Sequence, residues 1–225
     1  EDAAHAIEAR REGIGPGELS HMACFSFYAT KNITSGEGGA VSTNNKEAAV
    51  KLKKLRLHGM SKSAAERYSK KYKHWDMEIL GWKYNMSNIQ AAMLLDQLNN
   101  IERYWRRREE ICRLYEEGFK NVPQITCLRI LPSSKSARHL FTILVSAQRR
   151  DRILSALQEK GIGVAVNYRA VHLLTYYRKK YAYKRKMFPE AERIGDSTIT
   201  LPLYPKLRDK EVRYVIQGVK EAVSP

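Results

Sequence analysis

The sequence is poor in cysteine, in long apolar runs and in acid, and each shortage narrows the field. Three cysteines, Cys24, Cys112 and Cys127, are an odd number with no Cys-x-x-Cys pair. Neither a disulfide framework nor a thiolate zinc site is indicated, and reduced thiols in a cytoplasm are the plain reading. No stretch approaches the roughly 18 to 20 apolar residues of a membrane span, and the start of the chain lacks a charged region followed by an apolar one. Membrane insertion and export therefore have no signal. The six histidines are scattered without an i, i+4 pair, so no metal site is expected. There is no internal repeat, and the glycines form neither a GxGxxG nor a GxxxxGK[ST] phosphate loop.

What is present is a globular composition. The 225 residues are 43% hydrophobic, enough for one large domain or two small ones with a real core. Forty basic residues against 24 acidic ones give a formal charge of +16, a field that steers anions: nucleic acid, an anionic membrane surface or a nucleotide diphosphate sugar. The stretch from Tyr176 to Lys186 interleaves four tyrosines with six cations, as a single-strand nucleic-acid groove does. No nucleic-acid-binding motif accompanies it, so a basic binding module stays the second reading, and a solvated surface is the ordinary one.

Periodicity outlines the elements. Ala23 to Phe27 and Ala40-Val41 read as short strands, and Ala3 to Arg11 as a short helix or a strand-to-loop exit. Asn44-Asn45 caps an amphipathic helix over Lys46 to His58, ended by Gly59. Met60 to Leu80 is a polar loop with Tyr68, Tyr72 and Trp75, long enough to suggest a lid. Ser87 caps the longest helical pattern, Asn88 to Gly118, roughly 45 Å at 1.5 Å per residue, which invites a bend or break. Its apolar stripe runs Leu94, Leu98, Ile101, Trp105, Cys112, Tyr115, Phe119, with Arg108 intervening; Arg106-Arg107-Arg108 reads as a solvated face. Beyond Pro123 and Pro132, a strand is expected in Arg138 to Ser146, a helix over Asp151 to Lys160 stopped by Gly161, and a strand over Ile162 to Val166. Pro189 to Gly195 reads as helix, Thr198 to Leu203 as extended, and Asp209 to Val223 as a terminal helix with Val212, Val215, Ile216 and Val219 inward.

One stretch organises the rest. In Cys24 to Asn45 an apolar strand is followed by Tyr28-Ala29-Thr30, a single lysine, and Gly36-Glu37-Gly38-Gly39 leading into a second strand. A lysine crowded by apolar side chains and backbone loses hydration and gives up its proton more readily, which makes Lys31 a candidate nucleophilic amine. Asn32 and Thr34 are suited to close the turn, and the glycines to allow backbone angles or approaches that a Cβ would forbid.

The residues Glu1-Asp2-Ala3-Ala4-His5-Ala6, Ser26-Phe27-Tyr28-Ala29-Thr30-Lys31-Asn32 and Gly36-Glu37-Gly38-Gly39 resemble the sugar aminotransferases of the DegT/DnrJ/EryC1/StrS type. Gly81-Trp82-Lys83-Tyr84-Asn85-Met86-Ser87-Asn88 is also similar, and the likeness extends to Leu201-Pro202-Leu203-Tyr204-Pro205. The resemblance implies an α/β fold of the aspartate aminotransferase type that uses pyridoxal 5'-phosphate (PLP). An incomplete large domain (1–86), a connecting helix (87–122) and a small α+β domain (123–225) would then make this the C-terminal portion of a longer enzyme. It implies that Lys31 joins the cofactor as a Schiff base and later moves the proton. Asp2 would pair with the pyridinium nitrogen, which favours a buried carboxylate, and Ser26 would bind the phosphate. His5 would lie beside the ring, or serve only as a structural histidine. Asn85 would reach the cofactor phosphate of a neighbouring subunit in a homodimer with shared sites, and Tyr168 and His172 would lie near the sugar nucleotide, although packing explains these two nearly as well. The implied reaction moves an amino group from glutamate to a nucleotide-linked keto sugar, leaving 2-oxoglutarate. KNITSGEGG and GWKYNMSNIQAAM look most like the enzymes that make UDP-4-amino-4-deoxy-L-arabinose for lipopolysaccharide. The alternatives are an inactive fragment or the basic nucleic-acid-binding module.

Overall fold

A computed structural model describes residues 1–61 and 74–224. The lid expected within 60–80 therefore falls largely outside the described residues, Tyr68 and Tyr72 included. The chain divides into two compact units: Glu1–Ile101 with Ser133–Ala137, and Glu102–Pro132 with Arg138–Pro225. The division falls inside the segment 87–122 that the sequence suggests as a connector.

In the first unit, β1 (Arg10–Arg11) pairs antiparallel with β5 (Ser134–Lys135), and β2 (Ala23–Ser26) with β3 (Gly39–Ser42) in the register Ser26 opposite Gly39. Residues 1–3 run parallel to β2: Cys24 N–H donates to the Glu1 carbonyl and Ala3 N–H to the Cys24 carbonyl, each at 2.9 Å. Between there and β1 the chain makes turns rather than a helix. Helix α1 covers Lys46–Leu55, capped by the Asn45 side chain on Ala48 N–H. It stops three residues before His58 because the Leu55 and Arg56 carbonyls accept from Trp82 and Tyr84 N–H groups at 2.7 and 2.8 Å, and so turn the chain toward 82–84. Helix α2 spans Asn88–Asn99 behind a complete Ser87/Gln90 capping box. Phe27, Ile33 and Leu94 form the buried core, with Ile7, Phe25, Met86 and Ile101 against it. Ile89 and Leu95, 79% and 64% exposed, lie outside it.

The long helical pattern does break. Asn100 ends α2 with non-helical angles (φ −104°, ψ 9°), and its amide donates back to the Asp96 carbonyl and carboxylate, the competition with backbone that keeps asparagine out of helix interiors. Helix α3 (Ile101–Phe119) carries the second unit's core together with β4 (Thr126–Cys127), β6 (Phe141–Leu144), α4 (Arg150–Glu159), α6 (Pro189–Ser197), β7 (Thr198–Leu201) and α7 (Asp209–Val223). A short helix between α4 and α6 is α5, Thr175–Tyr181. The sheet order β4-β6-β7 is antiparallel throughout. Val212, Val215, Val219 and Val223, three and four residues apart, put one stripe of α7 against Ile111, Tyr115, Ile143 and Ile199. Each such side chain contributes on the order of 1.5–3 kcal/mol of burial.

Two expectations need correction here. Arg108 is buried (2% exposed), not solvated; it lies on the apolar stripe of α3, whose periodicity aims it inward. The strand expected over Ile162 to Val166 reduces to one bridge, Ala165 with Thr200. Gly161 and Ile162 spend their N–H groups closing α4 on the Gln158 and Leu157 carbonyls (2.9 and 3.0 Å), so they have none for a ladder.

Candidate active site

The first unit assembles its polar site from two adjoining chain ends, the 1–3 segment and the end of β2. After Ser26 the chain closes a small loop: Phe27 N–H donates to the Gly38 carbonyl at 2.8 Å, Ser35 N–H to the Phe27 carbonyl at 3.0 Å, and Lys31 N–H to the Tyr28 carbonyl at 2.9 Å. Ile33, 1% exposed, pins the underside in the core. Lys31 stands on the rim of this loop, half-buried. Gly38 is favoured where it is by its φ of +141°, a backbone angle that side-chain-bearing residues rarely adopt.

His5 reports what surrounds Lys31. Burial lowers its pKa first, the Lys31 charge lowers it further, and the Asp2 carboxylate pulls it back up. Lys31 and Asp2 therefore both act on the same imidazole, and the neutral form is favoured. Among the described residues neither Lys31 nor Asp2 enters an ion pair. Asp2 is exposed, not buried as expected; its Oδ1 accepts the Ala4 N–H at 3.0 Å. Ser26, at the end of β2, is half-buried, and its Oγ accepts from Tyr28 N–H at 3.4 Å. Thr34 Oγ1 closes the turn by donating to the Phe27 carbonyl (3.0 Å) and accepting from Gly36 N–H (2.9 Å). Asn32 instead reaches across, donating to Glu8 at 2.7 Å and to the Ala137 carbonyl at 2.9 Å.

Asn85 is exposed and accepts a hydrogen bond from Lys83. Tyr168 and His172 belong to the second unit. Tyr168 is 58% exposed, whereas His172 is buried with Nε2 3.0 Å from Glu192 Oε1 and its ring 4.8 Å from that of Phe188. The basic stretch forms α5 and the turn after it, with the Lys180 ammonium over the Tyr176 and Tyr181 rings at 5.4 and 5.3 Å. Sequence reasoning missed Gln97, whose side chain holds the peptide of Thr34 from α2; a lone glutamine on a helix face gives no signal of what it faces.

The donor set suits pyridoxal phosphate: an amine that can join an aldehyde, a carboxylate for a ring nitrogen, and a hydroxyl for a phosphate, with the amine not committed to an ion pair. No helix among the described residues is long and apolar enough to cross a membrane.

Known proteins resemble this chain over its whole length. It is 43% identical to the uncharacterized protein MJ1066 of Methanocaldococcus jannaschii over 100% of the chain and 59% of that protein. It is 37% identical to the spore coat polysaccharide biosynthesis protein SpsC of Bacillus subtilis, over 99% of the chain and 59% of the relative. The chain thus spans about three-fifths of the length of the curated relatives it matches. Among solved structures, the sugar aminotransferase Spr1654 of Streptococcus pneumoniae in its PMP-form superposes with a TM-score of 0.90 at 31% identity, over 99% of this chain and 58% of that one. The same protein in its PLP-form gives 0.88. PseC of Helicobacter pylori, an aminotransferase involved in the biosynthesis of pseudoaminic acid, gives 0.90 at 29% identity, over 99% of this chain and 58% of that one. The fold is that of the PLP-dependent, aspartate aminotransferase-like enzymes. Residues 1–220 match the family model of the DegT/DnrJ/EryC1/StrS aminotransferases, and the chain belongs to that family.

Proposed function

We propose that the whole protein is a PLP-dependent aminotransferase that moves an amino group from glutamate to a nucleotide-linked keto sugar. The carrying observation is that the 1–3 segment pairs with β2, bridging Asp2 to Cys24 beside the strand that leads into the Lys31 loop, so that Asp2 and Lys31 bear with opposite sign on one imidazole, His5. When bound, PLP supplies an electron sink for the carbanion left when a C–H bond of the amino donor breaks. Lys31 Nζ would hold the cofactor and, once free, would take the proton from the donor's α-carbon. The Asp2 carboxylate would favour a proton on the ring nitrogen through its negative charge. Ser26 Oγ would donate to the phosphate. His5, whose burial and Lys31 neighbour favour the neutral form, would add no second positive charge.

The finer reading takes a UDP-linked 4-keto pentose as acceptor, in cytoplasmic synthesis of a lipopolysaccharide sugar; the likeness of KNITSGEGG and GWKYNMSNIQAAM supports it. SpsC, by its name, serves spore coat polysaccharide biosynthesis, and PseC the biosynthesis of pseudoaminic acid, which supports the broader class. Asn85 would complete a neighbouring subunit's phosphate site, and Tyr168 and His172 would border the sugar nucleotide. Ile89 with Met93, and Leu95 with Leu98, 45–79% exposed on two different sides of α2, support burial of these surfaces against further polypeptide in a homodimer.

The test is the visible absorption spectrum on adding PLP, followed by borohydride reduction and peptide mapping. A reduced adduct on Lys31 is expected. An adduct that maps to other lysines, and survives Lys31→Ala, overturns the assignment.

A further inference from the structure

Lys31 sits in a loop whose two ends are held differently. On its N-terminal side the loop is tied to itself by Lys31 N–H on the Tyr28 carbonyl at 2.9 Å, and to distant chain by Asn32, which donates to Glu8 and to the Ala137 carbonyl at 2.7 and 2.9 Å. On its C-terminal side it runs into Gly36, whose φ of +80° suits glycine and whose N–H donates to Thr34 Oγ1 at 2.9 Å. Asn32 thus fixes the residue after Lys31, and the course of the backbone beyond the buried Ile33 is set at Thr34.

A further hold comes from α2, 63 residues away in sequence. Gln97 Oε1 accepts from Thr34 N–H at 2.9 Å, and Gln97 Nε2 donates to the Thr34 carbonyl at 2.8 Å. The side-chain amide therefore pairs with both backbone groups of one residue, as a neighbouring strand would. Nε2 also donates to the Met93 carbonyl of its own helix at 2.7 Å, which fixes the rotamer and settles which end of the amide faces which partner. Higher up the same helix, Gln90 Nε2 donates to the Glu37 carbonyl at 3.2 Å. One helix, capped at its start by Ser87, thus grips the loop on both sides of Gly36.

We infer that Gln97 is a positioning residue for Lys31, setting where the ε-amine stands by clamping the Thr34 peptide from α2. The inference rests on Lys31 being the reacting amine, and it predicts that the clamp acts on amine placement rather than only on fold stability. An error of about 1 Å in the placement of a reacting group costs on the order of 100-fold in rate.

The experiment uses two readouts. The first needs no cofactor: the His5 pKa by NMR, which the Lys31 charge depresses. Gln97→Met, close in shape but unable to bond, is expected to raise the His5 pKa toward the value found in Lys31→Met. In the Lys31→Met background the same substitution is expected to do nothing more, because its action runs through Lys31. The second readout is the rate at which the borohydride-trapped PLP adduct forms, expected to fall at least tenfold in Gln97→Met. Gln97→Glu, which still accepts from Thr34 N–H, is expected to recover part of that rate and serves should Gln97→Met not fold. Asn100→Ala, which removes an amide from the same helix away from the loop, is the control for general stability. An unchanged His5 pKa and adduct rate in Gln97→Met, or an equal His5 shift with and without Lys31, overturns the inference. Failure of the unsubstituted protein to form any adduct on Lys31 would count against the transaminase reading instead, and the NMR cycle would still decide the clamp.

Discussion

Replacing Arg138 by methionine tests how the second unit is held together. The guanidinium, on a side chain only 9% exposed, donates from Nε to Glu109 at 2.7 Å and from Nη1 to Glu116 at 3.0 Å. Removing one member of a buried ion pair costs about 3–5 kcal/mol, because the remaining charge stays uncompensated. Two features reduce that figure here. The Glu116 side chain is 37% exposed and can be hydrated, and Glu109, at 19%, keeps Arg113 at 3.1 Å. Methionine retains most of the volume of the stem, so little is lost in packing. The expected loss is about 2–3 kcal/mol, or about 5–10 °C in Tm for a chain of this size. The pH dependence is the sharper check. Burial pushes the Glu109 carboxyl up, but Arg138 and Arg113 outweigh it and hold the group below its ordinary 4.5. A depressed carboxylate stabilises the fold above its unfolded pKa and loses that contribution as pH falls through the folded value. Without Arg138, burial dominates, the folded pKa rises, and acid relieves the variant instead of harming it. The gap between the two proteins should therefore narrow below about pH 4.5, and Glu109→Gln should recover about 1 kcal/mol in the variant at pH 7. Urea unfolding, followed by near-UV circular dichroism of the Tyr115, Phe119 and Phe141 cluster, measures all of this. A gap under about 1 kcal/mol at pH 7, or one that stays constant down to pH 4, refutes the reasoning.

Gly59→Ala should cost at least about 3 kcal/mol in thermal or urea unfolding, since φ is +72° and the new Cβ would meet the Ile79 carbonyl oxygen at 1.6 Å. Gly161→Ala, at φ +71° with open space around it, isolates the conformational part and should cost only about 1 kcal/mol; equal losses would mean that the overlap at Gly59 does not matter. His5 should titrate below 6.5 by NMR, lower again in Asp2→Asn and higher in Lys31→Gln. Its contribution to stability is complete above the unfolded pKa and lost as pH falls through the folded one; an unchanged His5 titration in both variants would separate it from the amine and the carboxylate.

The features that could be read from the sequence are those that local chemistry enforces. Ser87 with Gln90, Asn45 before α1, and Gly161 after α4 act within one turn of themselves, and each does in the structure what its spacing announces. Regular stripes were legible for the same reason: the valines of α7 point inward because 3.6 residues make a turn. Arg108 shows how a residue-type prior can override a better signal. Its place in the stripe of α3 aims it at the core, yet three arginines in a row suggest solvent; position decided the outcome. The candidate site divides along the same line. The β2–loop–β3 framework around Lys31 is written in consecutive residues, whereas the groups that hold the loop come from far along the chain: Glu8 and the Ala137 carbonyl through Asn32, and Gln97 through Thr34. A glutamine has the same propensity on a bare helix face as on one that clamps a loop, so no propensity or period distinguishes Gln97 from its neighbours. What places the amine is therefore a tertiary property that the local sequence does not carry, and it follows that substitutions at such clamps should disturb chemistry while leaving each element's own secondary structure intact.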